Sequence, residues 1–344
     1  MDIIKKNLTI PYMNNYLLDE YLDGQKICTF DIETLGLDPM RAPMILAGMM
    51  VVEPDGNAEV TQYFLDEPEE EHILLEEVIK ELNSYDCLIT YNGKRFDLPY
   101  LIKRYRMIYH EEPKIRPFDL DLYQFVRHHS SLCEFMESLS QKSIERYMGL
   151  APMRTDEISG AESVRLYYEY ITEADLELRR ALKETILLHN FDDVVQLYKL
   201  LPIVNQCDVH SAFNKLGFPV VPEAETEGGR LLKPSSIKIV KRSLIIKGSY
   251  FGKPIAYKGF STMETPWESE FKADGSFTLT LPLIKDADAL YVNLFDYFQD
   301  TQEFWGMAGY VNDYLILKNG KEINTRDMNL FSRAILRKLD LNII

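Results

Sequence analysis

Residues 26–37 read KICTFDIETLGL, and this stretch decides the fold. Ile27, Phe30 and Ile32 are apolar, while Asp31 and Glu33 stand two apart, a spacing that puts both carboxylates on one face of a buried strand. Outward from it, MILAGMMVVEPDGNAEVTQYFLD (44–66) reads as a hairpin turning at Asp55–Gly56. EEEHILLEEVIKELNSY (69–85) carries apolar residues at helical spacing, and DCLITYN (86–92) returns as a buried strand. LPYLIKRYRMIY (98–109) follows as a helix with Pro99 in its first turn, then a strand over 115–122 and a long helix over 175–204. Strands interleaved with helices make residues 1–205 an α/β domain.

The texture changes near residue 205. VPEAETEGGRLLKP (221–234) has the polarity and Gly/Pro content of a linker. After it IKIVKRSLIIKG, KPIAYKGF, SFTLTLPL, ALYVNLF and DYLILKNGKEI alternate with period two, Asn319–Gly320 reads as a hairpin turn, and RDMNLFSRAILRKL (326–339) closes the chain as a helix. Residues 206–344 are therefore expected to form a β-rich accessory domain of unknown role.

Apolar residues make up 46% of the 344 and charged residues 27%, which excludes wholesale disorder. The net charge of −16 excludes a polybasic mode of nucleic-acid binding. That excess lies wholly in residues 1–205, because 206–344 hold 17 basic and 17 acidic side chains. Between Arg230 and Lys258 no acid occurs, and Lys233, Lys238, Lys241, Arg242, Lys247 and Lys253 interleave with Tyr250, Phe251 and Tyr257, with Phe260 just beyond. Cys28, Cys87, Cys133 and Cys207 have no CxxC or zinc-finger spacing and read as free thiols. No apolar run approaches a membrane span, so a soluble, cytoplasmic chain without membrane partners is expected. No phosphate-cradling GxxxxGK[ST] and no G-x-S-x-G elbow occurs, which leaves nucleotide-driven motors and serine hydrolases without support.

Two anions on one buried strand repel each other, and a divalent cation resolves the repulsion; such hard oxygen ligands suit Mg²⁺ or Mn²⁺. Alone, a D-x-E triplet is more often a solvated strand end. A third carboxylate, Asp97, lies in ITYNGKRFDLPYL beside Asn92, Lys94 and Arg95, where an acid also serves as a helix cap. In LLHNFDDVVQLYKLL, His189 and Asp193 are four apart and share a helical face, while Asp192 points about 100° away and is expected in solvent. His72, His110, His128, His129 and His210 read as surface residues, and Asp119 and Asp121 as hydrogen-bonding residues of their strand.

The ordered set D-x-E, N-x-x-x-x-D and H-x-x-x-D resembles the DEDD superfamily of 3′-to-5′ exonucleases, built on the ribonuclease-H fold with a mixed sheet flanked by helices. More closely, FDIETLGL, YNGKRFDLPYL and HNFDD resemble the YprB-type ribonuclease-H-like family, as do DLYQFVR and the pattern Lys142, Glu145, Gly149, Arg154, Asp156, Ile158, Gly160. The resemblance covers about residues 25–205. It implies that Asp31, Glu33, Asp97 and Asp193 hold two Mg²⁺ or Mn²⁺ ions, with His189 orienting or deprotonating the attacking water. The expected function is metal-dependent 3′–5′ exonucleolytic hydrolysis of nucleic acid, acting on a single-stranded 3′ end, with Asn92 and Lys94 contacting the substrate. The alternatives are a non-catalytic nucleic-acid or protein-binding module on this fold, and a phosphoesterase for small nucleotides or short oligomers, which the acidity favours. For a polyanionic substrate two resolutions stand: either the basic, aromatic strands at 230–260 form a binding platform or the substrate is short, alternating lysines on a β surface being more often a solvated face.

Overall fold

A computed structural model describes residues 1–12, 15–151, 154, 158–224, 229–262 and 265–341. In chain order the elements begin with β1 (Asp2–Thr9), α1 (Tyr16–Leu22), β2 (Ile27–Thr34), β3 (Met44–Val52), β4 (Asn57–Phe64), α2 (Glu71–Leu82), β5 (Cys87–Thr90), α3 (Asp97–Tyr109) and β6 (Phe118–Asp121). Helices α4 (Leu122–His129), α5 (Gln141–Tyr147), α6 (Gly160–Thr172), α7 (Leu176–Lys199) and α8 (Val209–Leu216) follow. The remainder is β7 (Leu231–Val240), β8 (Ser243–Phe251), β9 (Tyr257–Gly259), β10 (Glu268–Phe271), β11 (Ser276–Pro282), β12 (Ile284–Asp286), β13 (Ala289–Asn293), β14 (Tyr310–Val311), β15 (Tyr314–Asn319), β16 (Glu322–Ile323) and α9 (Thr325–Arg337). Contacts divide the chain into two compact units, Met1–Tyr16 with Gln25–Cys207, and Leu17–Gly24 with Asp208–Ile344.

The first unit is the α/β architecture expected, a six-stranded mixed sheet in the order β1-β4-β3-β2-β5-β6 flanked by helices. Strand β2 is its pivot, antiparallel to β3 and parallel to β5, which in turn runs parallel to β6. On β2, Cys28, Phe30 and Ile32 enter the hydrophobic core with Met44, Leu46, Phe64 and Leu74, so Thr29, Asp31 and Glu33 turn to the other face. Helix α7 covers that face. Asp175 caps its start, accepting from the amides of Glu177 (2.9 Å) and Leu178 (3.1 Å). Its second half is buried nearly all round, from Ile186 to Tyr198. The hairpin turns at Gly56, whose φ of +85° is open to glycine without strain. Strand β1, for which the sequence pattern carried no prediction, adds an edge to β4.

The second unit has an antiparallel sheet β7-β8-β11-β10-β9 and a second sheet β12-β13-β15-β14, with β16 on β15. It also claims the segment Leu17–Gly24, which the sequence reading placed in the first half. Tyr21 stacks on Phe213 at 4.1 Å, shares a hydrogen bond with His210 Nδ1 (2.9 Å) and accepts from Asn329 Nδ2 (3.1 Å), while Glu20 pairs with Arg326. His210 is thus half-buried and bonded rather than a surface residue. The expected linker over 221–234 is in part strand, since β7 starts at Leu231; residues 225–228 of it lie outside the described residues. Of the two readings of the basic stretch, the platform loses support. Tyr250 is buried, its hydroxyl donating to Lys272 O (2.8 Å) and accepting from the Ile255 amide (2.6 Å). In the sheet register Glu270 faces Lys258 on one side and Thr278 on the other, and Thr278 faces Lys247, so an acid interrupts the lysine row. Among the described residues no helix is long and apolar enough to cross a membrane.

Candidate functional site

The site grows from the polar face of β2 against α7. Thr29 Oγ1 donates to Val194 O (3.1 Å) and Gln62 Nε2 to Leu187 O (2.8 Å), buried bonds worth about 1 kcal/mol each that fix the helix on the sheet. Asn190, wholly buried, fills the space between. Its Nδ2 donates to Asp31 Oδ2 (3.0 Å) and its Oδ1 accepts from Gln62 Nε2 (3.0 Å). Room for it exists because Gly48, the register partner of Asp31 on β3, has no side chain; a Cβ there would lie 2.1 Å from Asn190 Oδ1. Neither residue was singled out from sequence. The available signals were a glycine inside the apolar run MILAGMMVV and an amide beside His189.

Asp97 is the first residue of α3 rather than its cap; the cap position is Phe96. Asp97 is 4% exposed and its Oδ1 accepts from the Ile32 amide (3.2 Å), which draws the end of β5 toward β2. The intervening loop is held by Asp121, which accepts from the amides of Asn92 (2.8 Å), Lys94 (3.3 Å) and Tyr123 (3.0 Å). Asn92 takes the left-handed φ of +67° that this tight path requires, a conformation asparagine tolerates better than most residues. Lys94 and Arg95 extend into solvent. Asp119 accepts from Thr90 Oγ1 (2.6 Å), and its burial pushes its carboxyl up to about 7.

On α7, His189 Nε2 lies 3.6 Å from Glu33 Oε1 and 3.6 Å from Asp193 Oδ2. Among the described residues, Glu33, His189 and Asp193 are the one group whose possible ligand atoms all fall within 4.8 Å of one another. Asp31 and Asp97 crowd the same space. Burial, followed by the charges of Asp193, Asp97 and Glu33, holds the Asp31 carboxyl well above the ordinary carboxylate range. Burial and the same neighbours push Glu33 up to about 8, and burial pushes Asp97 up to about 7. Burial raises Asp193 too, against the opposing charges of His189 and Arg154. The Arg154 guanidinium reaches Asp193 Oδ1 (2.5 Å) and spans both oxygens of Glu145 (2.5 and 2.7 Å). Gln141 Nε2 donates to Asp193 O (3.1 Å) and Glu145 Oε1 (3.1 Å). Four carboxylates crowded into one largely enclosed space, each held above its ordinary range, are a hard-oxygen donor set that a divalent cation fits.

The other basic residues of the 142–154 stretch separate by contact. Arg154 makes an ion pair inside the unit, Lys142 donates to Ile158 O (3.0 Å), and Arg146 reaches only as far as Ser143 Oγ (3.1 Å). Asp156 lies outside the described residues. Asp192, expected in solvent, is 3% exposed, because this part of α7 is buried nearly all round.

A family model described as the RNase_H superfamily matches residues 28–205. Uncharacterized protein YprB of Bacillus subtilis is similar, 30% identical over 176 residues that cover 50% of this chain and 40% of that protein. A DNA polymerase of Pyrococcus glycovorans is 35% identical over 112 residues, 28% of this chain. DNA polymerase 1 of Pyrococcus abyssi is 36% identical over 111 residues, also 28% of this chain. Each match spans only 14% of the polymerase's length. Among solved structures, E. coli exonuclease I in complex with a dT13 oligonucleotide has 12% identity and a TM-score of 0.30 over 64% of this chain and 54% of its own.

Proposed function

Since this chain belongs to the RNase H superfamily, a membership carried by residues 28–205, we propose that it is a metal-dependent 3′–5′ exonuclease. The observation that carries the reading is the convergence of Asp31, Glu33, Asp97 and Asp193, from three separate elements, with His189 in one cluster. Similarity to the Pyrococcus DNA polymerases supports nucleic acid as the substrate class.

In this reading Asp31, Glu33, Asp97 and Asp193 hold two divalent ions, Mg²⁺ or Mn²⁺. When bound, such ions supply charge neutralisation at the phosphate and a more acidic water. The chain's own residues supply the geometry. Asn190 fixes the rotamer of Asp31, and Gln62 fixes Asn190 in turn. The Ile32 amide orients Asp97, and Arg154, itself clamped by Glu145, orients Asp193. His189 Nε2, between Glu33 and Asp193, orients the attacking water and takes its proton. Enclosure by α7 keeps bulk water from screening these charges.

The test is a gel assay on 5′-labelled single-stranded DNA and RNA of several lengths, with Mn²⁺, Mg²⁺ or EDTA, beside Asp193→Asn. A ladder shrinking from the 3′ end, dependent on metal and absent in the variant, is expected. Cleavage that survives EDTA or Asp193→Asn would overturn the assignment.

A further inference from the structure

An acidic unit that cuts a polyanion needs a cationic path to its site. Ion pairing shows where that path is available. In the first unit Arg41, Arg104, Arg106, Arg116, Arg165, Arg179 and Arg180 each pair with a carboxylate, as Arg154 does at the site. Among the described residues the exceptions are Arg95, Arg127 and Arg146, all three exposed. Each sits on a segment bonded to the site. Arg95 is two residues before Asp97. Arg127 is on α4, whose capping residue Asp121 also holds the Asn92–Lys94 loop. Arg146 follows Glu145, the partner of Arg154.

Aromatic groups accompany these cations. A cleft of about 480 Å³ is lined by Tyr123, Arg127, His128, Cys133 and Met136, with Glu137 its one acid. Arg127 Nη1 donates to the Tyr123 hydroxyl (2.8 Å), and its guanidinium lies 5.8 Å from the Tyr123 ring centre. Beside the cleft Phe135 and Tyr147 are 61% and 45% exposed, with ring centres 6.2 Å apart. The Tyr91 hydroxyl donates to Leu139 O and so ties this surface to the end of β5.

We propose that this surface, the Tyr123–Arg127–His128 cleft with Phe135, Arg146 and Tyr147, seats the single-stranded segment of nucleic acid leading to the site. Exposed rings give stacking that accepts any base, and arginines without a carboxylate partner give phosphate contacts, the combination used by binders of single strands. The inference rests on the exonuclease reading. It moves the platform from the 230–260 strands, where Tyr250 is core and Glu270 breaks the lysine row, to α4 and α5.

Two measurements on the full chain in EDTA test it. Cys133 is the exposed thiol of the four, and it lines the cleft, so an oligo-dT or oligo-rU 12-mer is expected to slow its alkylation, read by peptide mass. Fluorescence anisotropy of the same labelled 12-mers is then followed against salt. Arg127→Gln is expected to weaken binding and to flatten the log–log salt slope by about 0.7, the loss of one phosphate contact. Phe135→Ala and Tyr147→Ala are each expected to weaken it about tenfold with the slope unchanged. Glu137→Gln tightens binding, and Lys247→Glu leaves it as it was. Unprotected Cys133 overturns the proposal, as does wild-type affinity in these variants, or protection by an acidic peptide but not by the 12-mers. If the chain cleaves under Mn²⁺ while Cys133 stays unprotected, this surface falls and the nuclease stands. If the 12-mers bind here and no metal yields cleavage, the surface stands and the nuclease falls.

Discussion

Two groups of buried carboxylates in the first unit invite comparison. Glu71, 3% exposed, accepts from the Met44 amide (2.8 Å) and from Arg104 Nε (2.8 Å), with a second guanidinium nitrogen on its other oxygen. Asp86 and Arg116, likewise buried, pair at 2.6 Å. These acids are matched one to one. Glu33 is almost as buried, at 8%, but it shares its space with Asp31, Asp97 and Asp193, and Arg154 is the ion-pair partner of Asp193 alone within that set. Burial of an acid therefore does not mark a site; a shortage of protein cations around several buried acids does.

The contrast is sharpest under isosteric neutralisation. Asp31→Asn is expected to abolish cleavage and to raise the melting temperature of the metal-free chain at alkaline pH, where the cluster is ionised, because one charge leaves a repulsive cluster. Glu71→Gln is expected to do the reverse, costing about 3–5 kcal/mol of stability by stranding Arg104, with cleavage per folded molecule unchanged. Denaturation and gel assays on both proteins decide it, and equal effects in the two would dissolve the distinction.

A smaller effect is expected at the orienting amide. Asn190→Ala leaves all four acids in place but frees the Asp31 rotamer, and the account predicts a loss of about 10–100-fold in metal affinity or cleavage. Gln62→Ala, one bond further out, is expected to lose less.

The smallest effect is in pH. The carboxyls of Asp31, Glu33 and Asp97 are raised in the folded chain, so between the ordinary carboxylate range and about pH 8 the folded state binds more protons than the unfolded one. Stability then falls as pH rises. The favourable contribution is full below about pH 4 and lost through about 7 for Asp97 and about 8 for Glu33. In EDTA the melting temperature should drop between pH 6 and 8 by this contribution, and Mn²⁺ should flatten that drop.

What could be read from the sequence was local. The D-x-E spacing of Asp31 and Glu33 is a property of one strand, and the four-residue spacing of His189 and Asp193 of one helix turn, so both pairs were visible, as was the strand and helix rhythm of residues 26–109. The missed features depend on contacts between distant segments. Asn190 needs the gap left by Gly48, more than a hundred residues away. Asp192 was judged by helical angle alone, which cannot show that the second half of α7 is buried nearly all round. The Leu17–Gly24 segment joins the second unit through Phe213, Arg326 and Asn329. The lysines between residues 230 and 258 looked unopposed because their acid, Glu270, arrives through strand pairing.

The central claim is that Asp31, Glu33, Asp97 and Asp193 are a two-ion site, and a calorimetric Mn²⁺ titration of the wild-type chain beside Asp31→Asn tests it most directly. The account predicts two ions bound per wild-type chain, with proton release near neutral pH, and loss of that isotherm in the variant. No binding to the wild type, or an isotherm indifferent to Asp31→Asn, would contradict it.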